Sequence, residues 1–128
     1  MPTLSINDRL GSAGLGGVAL TPRQVDQTGS RAFNTTYTNT GVGSLFVQAT
    51  FRAIVTLAAG SSTIQGKSDT ATPPTTIATG IVGIQTGLLN EDNTFQISFF
   101  VSPGKTYIIN SVVANATATL GSWFEAPL

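Results

Sequence analysis

Between Leu45 and Ala58 the chain alternates strictly between two sets of side chains. Leu45, Val47, Ala49, Phe51, Ala53, Val55 and Leu57 fall on one side, and Phe46, Gln48, Thr50, Arg52, Ile54, Thr56 and Ala58 on the other. A period of two sustained over fourteen residues marks a strand with one buried face. A helix would scatter the same apolar residues around its whole circumference. Such a strand needs a second layer to cover it, and that requirement governs how the rest of the chain is read.

The remaining sequence offers that layer. Ala58–Ser62 breaks the strand; Ser62–Gln65 is expected to return as a short partner, with Gly66–Asp69 as a turn. Thr70–Thr76 carries Pro73-Pro74 and is expected to be a loop or edge. Ile77–Gln85 alternates, Gly87–Asn93 reads as a polar loop, and Thr94–Ser102 places Phe95, Ile97, Phe99 and Val101 on one side. Pro103-Gly104 is a turn, and Thr106–Val113 and Ala116–Glu125 supply the last strands. Short strands separated by turn signals, without a helical pattern, predict an all-β fold, an antiparallel β-sandwich over residues 29–128. A single domain of this length buries about two-thirds of the surface its unfolded chain exposes.

Residues 1–28 have another character. Four glycines in Gly11–Gly17 disfavour a helix, each by roughly 1 kcal/mol relative to alanine. Leu4, Ile6, Leu10, Leu15, Val18 and Leu20 nevertheless give this leader more aliphatic anchors than a linker carries, so an N-terminal arm ordered against a neighbour is expected. Asp8 and Arg9 stand where a signal peptide needs its apolar region, which points to assembly in a cytoplasm. GSAGLGG has neither the lysine nor the flanking strand and helix of a phosphate-binding loop.

Composition narrows the function. Charged residues are 9% of the chain, against about 25% in ordinary soluble proteins. A surface so poor in charge accepts close contact readily, because little has to be desolvated. The six basic residues are dispersed and the net charge is zero, so no nucleic-acid partner is expected. No run approaches the ~20 apolar residues of a membrane span, so no membrane insertion is expected. With no Cys and no His, thiolate chemistry and His-based triads are absent. Glu91 and Asp92 are adjacent and would point to opposite faces of a strand, and GLLNEDN (Gly87–Asn93) lacks the alternating oxygens of a calcium loop. No enzyme, cofactor or metal site is expected. The triplets at Asn34 and Asn115 match a glycosylation pattern at the level chance provides in a chain rich in Asn and Thr. Trp123, Tyr37 and Tyr107 are either sugar-stacking platforms or core residues. Phe46, Ile54 and Phe100 fall on faces that should be solvated, which predicts an interface between copies.

Three stretches, RAFNTTYTNTGVGSLFVQATF (Arg31–Phe51), FFVSPGKTYIIN (Phe99–Asn110) and TLGSWFE (Thr119–Glu125), resemble in order and spacing the C-terminal module of tailed-phage tail-fibre proteins. The resemblance covers roughly residues 28–128, leaving Gly60–Asn93 without an aligned pattern. It implies a homotrimeric, jelly-roll-like sandwich on the outside of a phage virion, with no catalytic residues. A short chain with an anchoring arm is also similar to capsid decoration (cement) proteins, which reinforce assembled shells. The expectation is therefore a virion structural protein whose partners are itself and the major capsid protein. A tail-fibre or tail-tip module contacting a host surface glycan is the alternative, and a free carbohydrate-binding domain the third.

Overall fold

The computed structural model describes residues 24–128; the arm anchors Leu4 to Leu20 lie outside them. Eight strands follow one another: β1 (Val25–Asp26), β2 (Tyr37–Thr38), β3 (Leu45–Val55), β4 (Gly60–Asp69), β5 (Ile77–Gly87), β6 (Asp92–Val101), β7 (Thr106–Ala114) and β8 (Ala116–Pro127). A 3-10 turn at Thr28–Ser30 is the one helical element among the described residues. The strands form two antiparallel four-stranded sheets, ordered β1-β8-β3-β6 and β2-β7-β4-β5. That order, in which successive strands alternate between layers except at the β4–β5 hairpin, is the winding of a jelly roll.

The alternating stretch from Leu45 to Val55 is the first sheet's centre. β3 pairs along its whole length with β6 on one side and β8 on the other. Leu45, Val47, Ala49, Phe51, Ala53 and Val55 are all buried, while the intervening residues face outward. Phe99, Ile97 and Val101 of β6 and Trp123 of β8 join them, against Ile64 of β4 and Tyr107 and Ile109 of β7 in the second sheet. Packing of this kind is the main source of a sandwich's stability, because each pleated face is apolar only where the other layer covers it.

The second sheet accommodates the aromatic rings of the first by omitting side chains. A Cβ on Gly66 would lie 2.6 Å from the ring of Phe99, and one on Gly83 would lie 2.7 Å from that of Phe95. Gly66 therefore sits in mid-strand, opposite Ile109 and Thr79, rather than in the turn expected at Gly66–Asp69. The partner expected to be short, Ser62–Gln65, is the middle of a ten-residue strand. Leu57, expected on the buried face, is 62% exposed because β3 ends at Val55 and the chain turns toward the other layer. At Pro103-Gly104 the turn forms as expected, with Gly104 at φ +77°.

One side of the sandwich is closed by the segment preceding β3. Val25 and Asp26 pair with Glu125 and Phe124. Gln27 N–H donates to the Trp123 carbonyl at 2.8 Å, and Thr28 Oγ1 accepts from Trp123 N–H at 3.0 Å. The chain then crosses to the second sheet, where Asn34 N–H donates to the Ile109 carbonyl and Asn34 Oδ1 accepts from Ser111 N–H. This strap occupies backbone groups of β8 and β7 that would otherwise form open sheet edges.

Asp69, at the end of β4, organises the proline loop. Its carboxylate accepts N–H bonds from Ala71 at 2.7 Å, Thr75 at 2.8 Å and Thr76 at 2.9 Å. The bonds from Thr75, then Thr76, favour the charged form and hold the carboxyl well below the usual carboxylate range. The stabilisation is complete above the unfolded value, about 3.9, and is lost as pH falls through the lower folded value. Asp69→Ala should therefore lower the melting temperature at pH 7, with the difference from the parent shrinking only in strongly acidic buffer; thermal melts across that range check it. Gly66→Ala should destabilise the domain by about 1–3 kcal/mol in urea titration, through overpacking against Phe99. Phe99→Leu in the same chain should restore part of that loss.

Candidate functional site

Arg31 and Glu125 are 94 residues apart in sequence, and the strap brings them together inside the sandwich. Glu125, on β8, is buried with both carboxylate oxygens engaged. Oε2 accepts from Arg31 Nε at 3.0 Å, Tyr107 OH at 2.7 Å and Trp123 Nε1 at 2.9 Å. Oε1 accepts from Arg31 Nη2 at 3.0 Å, completing a bidentate ion pair. The guanidinium also lies 4.5 Å from the centre of the Tyr37 ring, in cation–π contact. Tyr37 in turn packs edge-on to Trp123 at 5.9 Å and tilted against Tyr107 at 5.8 Å.

The electrostatics of this cluster follow from its saturation. Burial pushes the Tyr107 phenol above its ordinary value, and its hydrogen bond to the Glu125 carboxylate pushes in the same direction. For Arg31 burial opposes the charge most strongly, but the interactions with Glu125 and Tyr107 together outweigh it and the guanidinium is held above its usual range. Neither group is poised to exchange a proton near neutral pH. A cleft of about 430 Å³ opens beside the cluster, with Arg31, Asn39, Val42, Leu45, Tyr107 and Leu128 among its walls. Arg31, Tyr107, Glu125 and Asn39 in its wall already have partners. Asn39 Nδ2 donates to the Gly43 and Val101 carbonyls, both at 3.0 Å, and its Oδ1 accepts from Gly41 N–H. The arrangement is a structural clasp holding the strap to the core.

Trp123 and Tyr107 are core residues and Tyr37 is half-buried with Arg31 over one face, so none presents a free stacking platform. Glu91 turns inward on its own loop, accepting from Leu88 N–H and Asn93 Nδ2, while Asp92 pairs with Arg52. Among the described residues no group of three or more Asp, Glu, His or Cys converges. Asn34 and Asn115 both adopt left-handed backbone, at φ 59° and 52°, and each serves a chain crossing or turn.

The outward face of the first sheet brings two of the three interface candidates together. Phe46 and Phe100 are cross-strand partners with ring centres 5.1 Å apart, and Phe100 is 62% exposed. Ile54 lies on the same face at the opposite end of β3, eight residues away and roughly 26 Å along the strand. Phe124 of β8, opposite Gln48, adds a half-buried ring beside the pair. Sequence reasoning missed it because a bulge near Thr50/Phe51 shifts which β8 residues face outward. The polar residues around them include Gln48, Thr50, Gln96, Ser98 and Ser122; the Arg52–Asp92 pair is internally neutral, and Asp26, paired with Phe124, adds one negative charge. This gives an aromatic patch on a face with few charges.

No family model matches the chain, and no curated protein matches it. Among solved structures, the C-terminal domain of EclA, a sugar-binding protein, is similar at 16% identity. The match covers 93% of this chain and 84% of that one, with a TM-score of 0.39.

Removing the centre of the clasp should be costly. Glu125→Ala leaves the Tyr107 hydroxyl, the Trp123 indole N–H and the Arg31 guanidinium without their shared acceptor. Loss of one partner from a buried ion pair costs about 3–5 kcal/mol, which urea denaturation followed by tryptophan fluorescence would measure.

Proposed function

We propose that this chain is a non-enzymatic structural protein of a tailed-phage virion, a homotrimer that decorates the capsid exterior and reinforces the shell. The observation that carries this reading is the exposed Phe46–Phe100 pair on a sheet face with few charges. Covering an aromatic side chain contributes about 1.5–3 kcal/mol, and a surface with few charges forfeits little in desolvation. In a trimer that contribution is repeated at every subunit contact. The groups that could have carried chemistry serve instead to hold the strap and loops in place. The particle and the trimer come from the resemblance of Arg31–Phe51, Phe99–Asn110 and Thr119–Glu125 to tail-fibre modules. Jelly rolls serve in capsid and in lectin domains alike, so the winding itself favours neither.

A shell protein needs many copies and modest individual contacts, because binding only the assembled state stabilises it by mass action. The second reading, a tail-fibre or tail-tip module or a free sugar-binding domain, is favoured by the cleft beside Arg31, whose 430 Å³ falls within the range of small-ligand sites. Phe100→Asp should convert the trimer to monomers in analytical ultracentrifugation with the fold retained by circular dichroism; unchanged sedimentation would remove this face from assembly. Particles lacking the protein should rupture at lower temperature and lower salt than complete ones. Equal rupture together with only a few copies per particle would move the assignment to the tail. Glycan binding by isolated trimers that competes with a ligand in the cleft would favour the receptor reading.

A further inference from the structure

The two sides of the sandwich are finished differently. On one, the strap of residues 27–39 occupies backbone groups of β8 and β7. On the other, β6 and β5 end their sheets, and among the described residues no strand pairs with the outer edge of either. Proteins ordinarily protect such edges with charge, proline or a covering segment. β6 carries Asp92, which reaches across to Arg52. β5, IATGIVGIQTG, has no charged residue and no proline in eleven positions. Its outward side chains include Val82, 62% exposed, next to Thr63 of β4 and in line with the equally exposed Val112 of β7. A long, uncharged edge of this kind is a template for an added strand.

We infer that the β5 edge receives residues 14–20 of a second copy of this chain as a fifth strand of the second sheet. The segment GLGGVAL is uncharged, and an extended conformation puts Val18 and Leu20 on one face, where they can flank Val82. Its origin argues for exchange between copies. The chain reaches Gln24 beside β1, at the far edge of the first sheet from β6. A route around the outside to the same copy's β5 crosses three strand spacings and one gap between sheets, about 24 Å. The six residues from Gln24 back to Val18 span at most about 20 Å. The neighbouring copy's edge has no such limit. A strand passed from each copy to the next is a head-to-tail contact, which closes into a ring under rotational symmetry. The inference rests on the proposed trimer for its closure, but not on the location in a virion.

The absence of native cysteine makes the test direct. Full-length chains carrying only Val18→Cys are co-expressed with chains carrying only Val82→Cys and oxidised mildly. Docking raises the local thiol concentration, so the mixed disulfide should form on the order of a hundredfold faster than with Val112→Cys, a control of equal exposure away from β5. In addition, Val82→Lys should shift sedimentation toward monomer while leaving the circular dichroism spectrum unchanged. Cross-linking no faster than the control overturns the inference. So does a Val18→Cys/Val82→Cys chain that closes only on itself, giving monomer-sized product on a non-reducing gel. Fast cross-linking in a protein that does not bind phage particles would support strand exchange and sink the virion reading.

Discussion

The carboxylate of Glu125 is the interaction on which the rest of this structure depends. The interior of a sandwich is a costly place for a charge, and a buried ion pair is retained only when further hydrogen bonds complete it. Here four donors converge on the two oxygens, from Arg31 on the strap, Tyr107 in one sheet and Trp123 in the other. One side chain thereby ties together both layers and the segment that enters them. The cluster most like an active site in its residue types thereby acts as a clasp.

The clasp has a consequence at the periphery. By fixing the strap across β8 and β7 it blunts the edges on one side of the jelly roll, while among the described residues no strand pairs with the outer edges of β5 and β6 on the opposite side. The low charge of the chain acquires a specific location through this asymmetry. The aromatic patch at Phe46 and Phe100 and the uncharged β5 edge are two surfaces suited to close contact, one through side chains and the other through backbone.

Much of this was legible in the sequence, and the exceptions have identifiable causes. The faces of β3 and β6 follow the written alternation through Leu45–Val55 and Phe95–Val101. Gly66 was misread as a turn because glycine signals equally a tight turn and a space for a neighbouring ring; only the position of Phe99 distinguishes the two. Leu57 keeps the alternation after the strand has ended, since periodicity cannot report where pairing stops. Phe124 faces outward because of a bulge in β8, which leaves no mark in an alternation count. In the candidate site, Phe46 and Phe100 were visible as misplaced apolar residues, but their direct pairing and the remoteness of Ile54 were not.

What the sequence alone determined is which residues of each strand face the core and which groups were available for chemistry. Side-chain direction in a pleated strand is a local property with a period of two, written in every pair of neighbours. What only the tertiary structure decided is the order of the strands, the ring-sized spaces at Gly66 and Gly83, and the convergence of Arg31, Tyr107 and Trp123 on Glu125. Those features join residues as far as 94 positions apart. They exist because two twisted layers must fill one interior, and no local pattern encodes which distant side chain will occupy a given space.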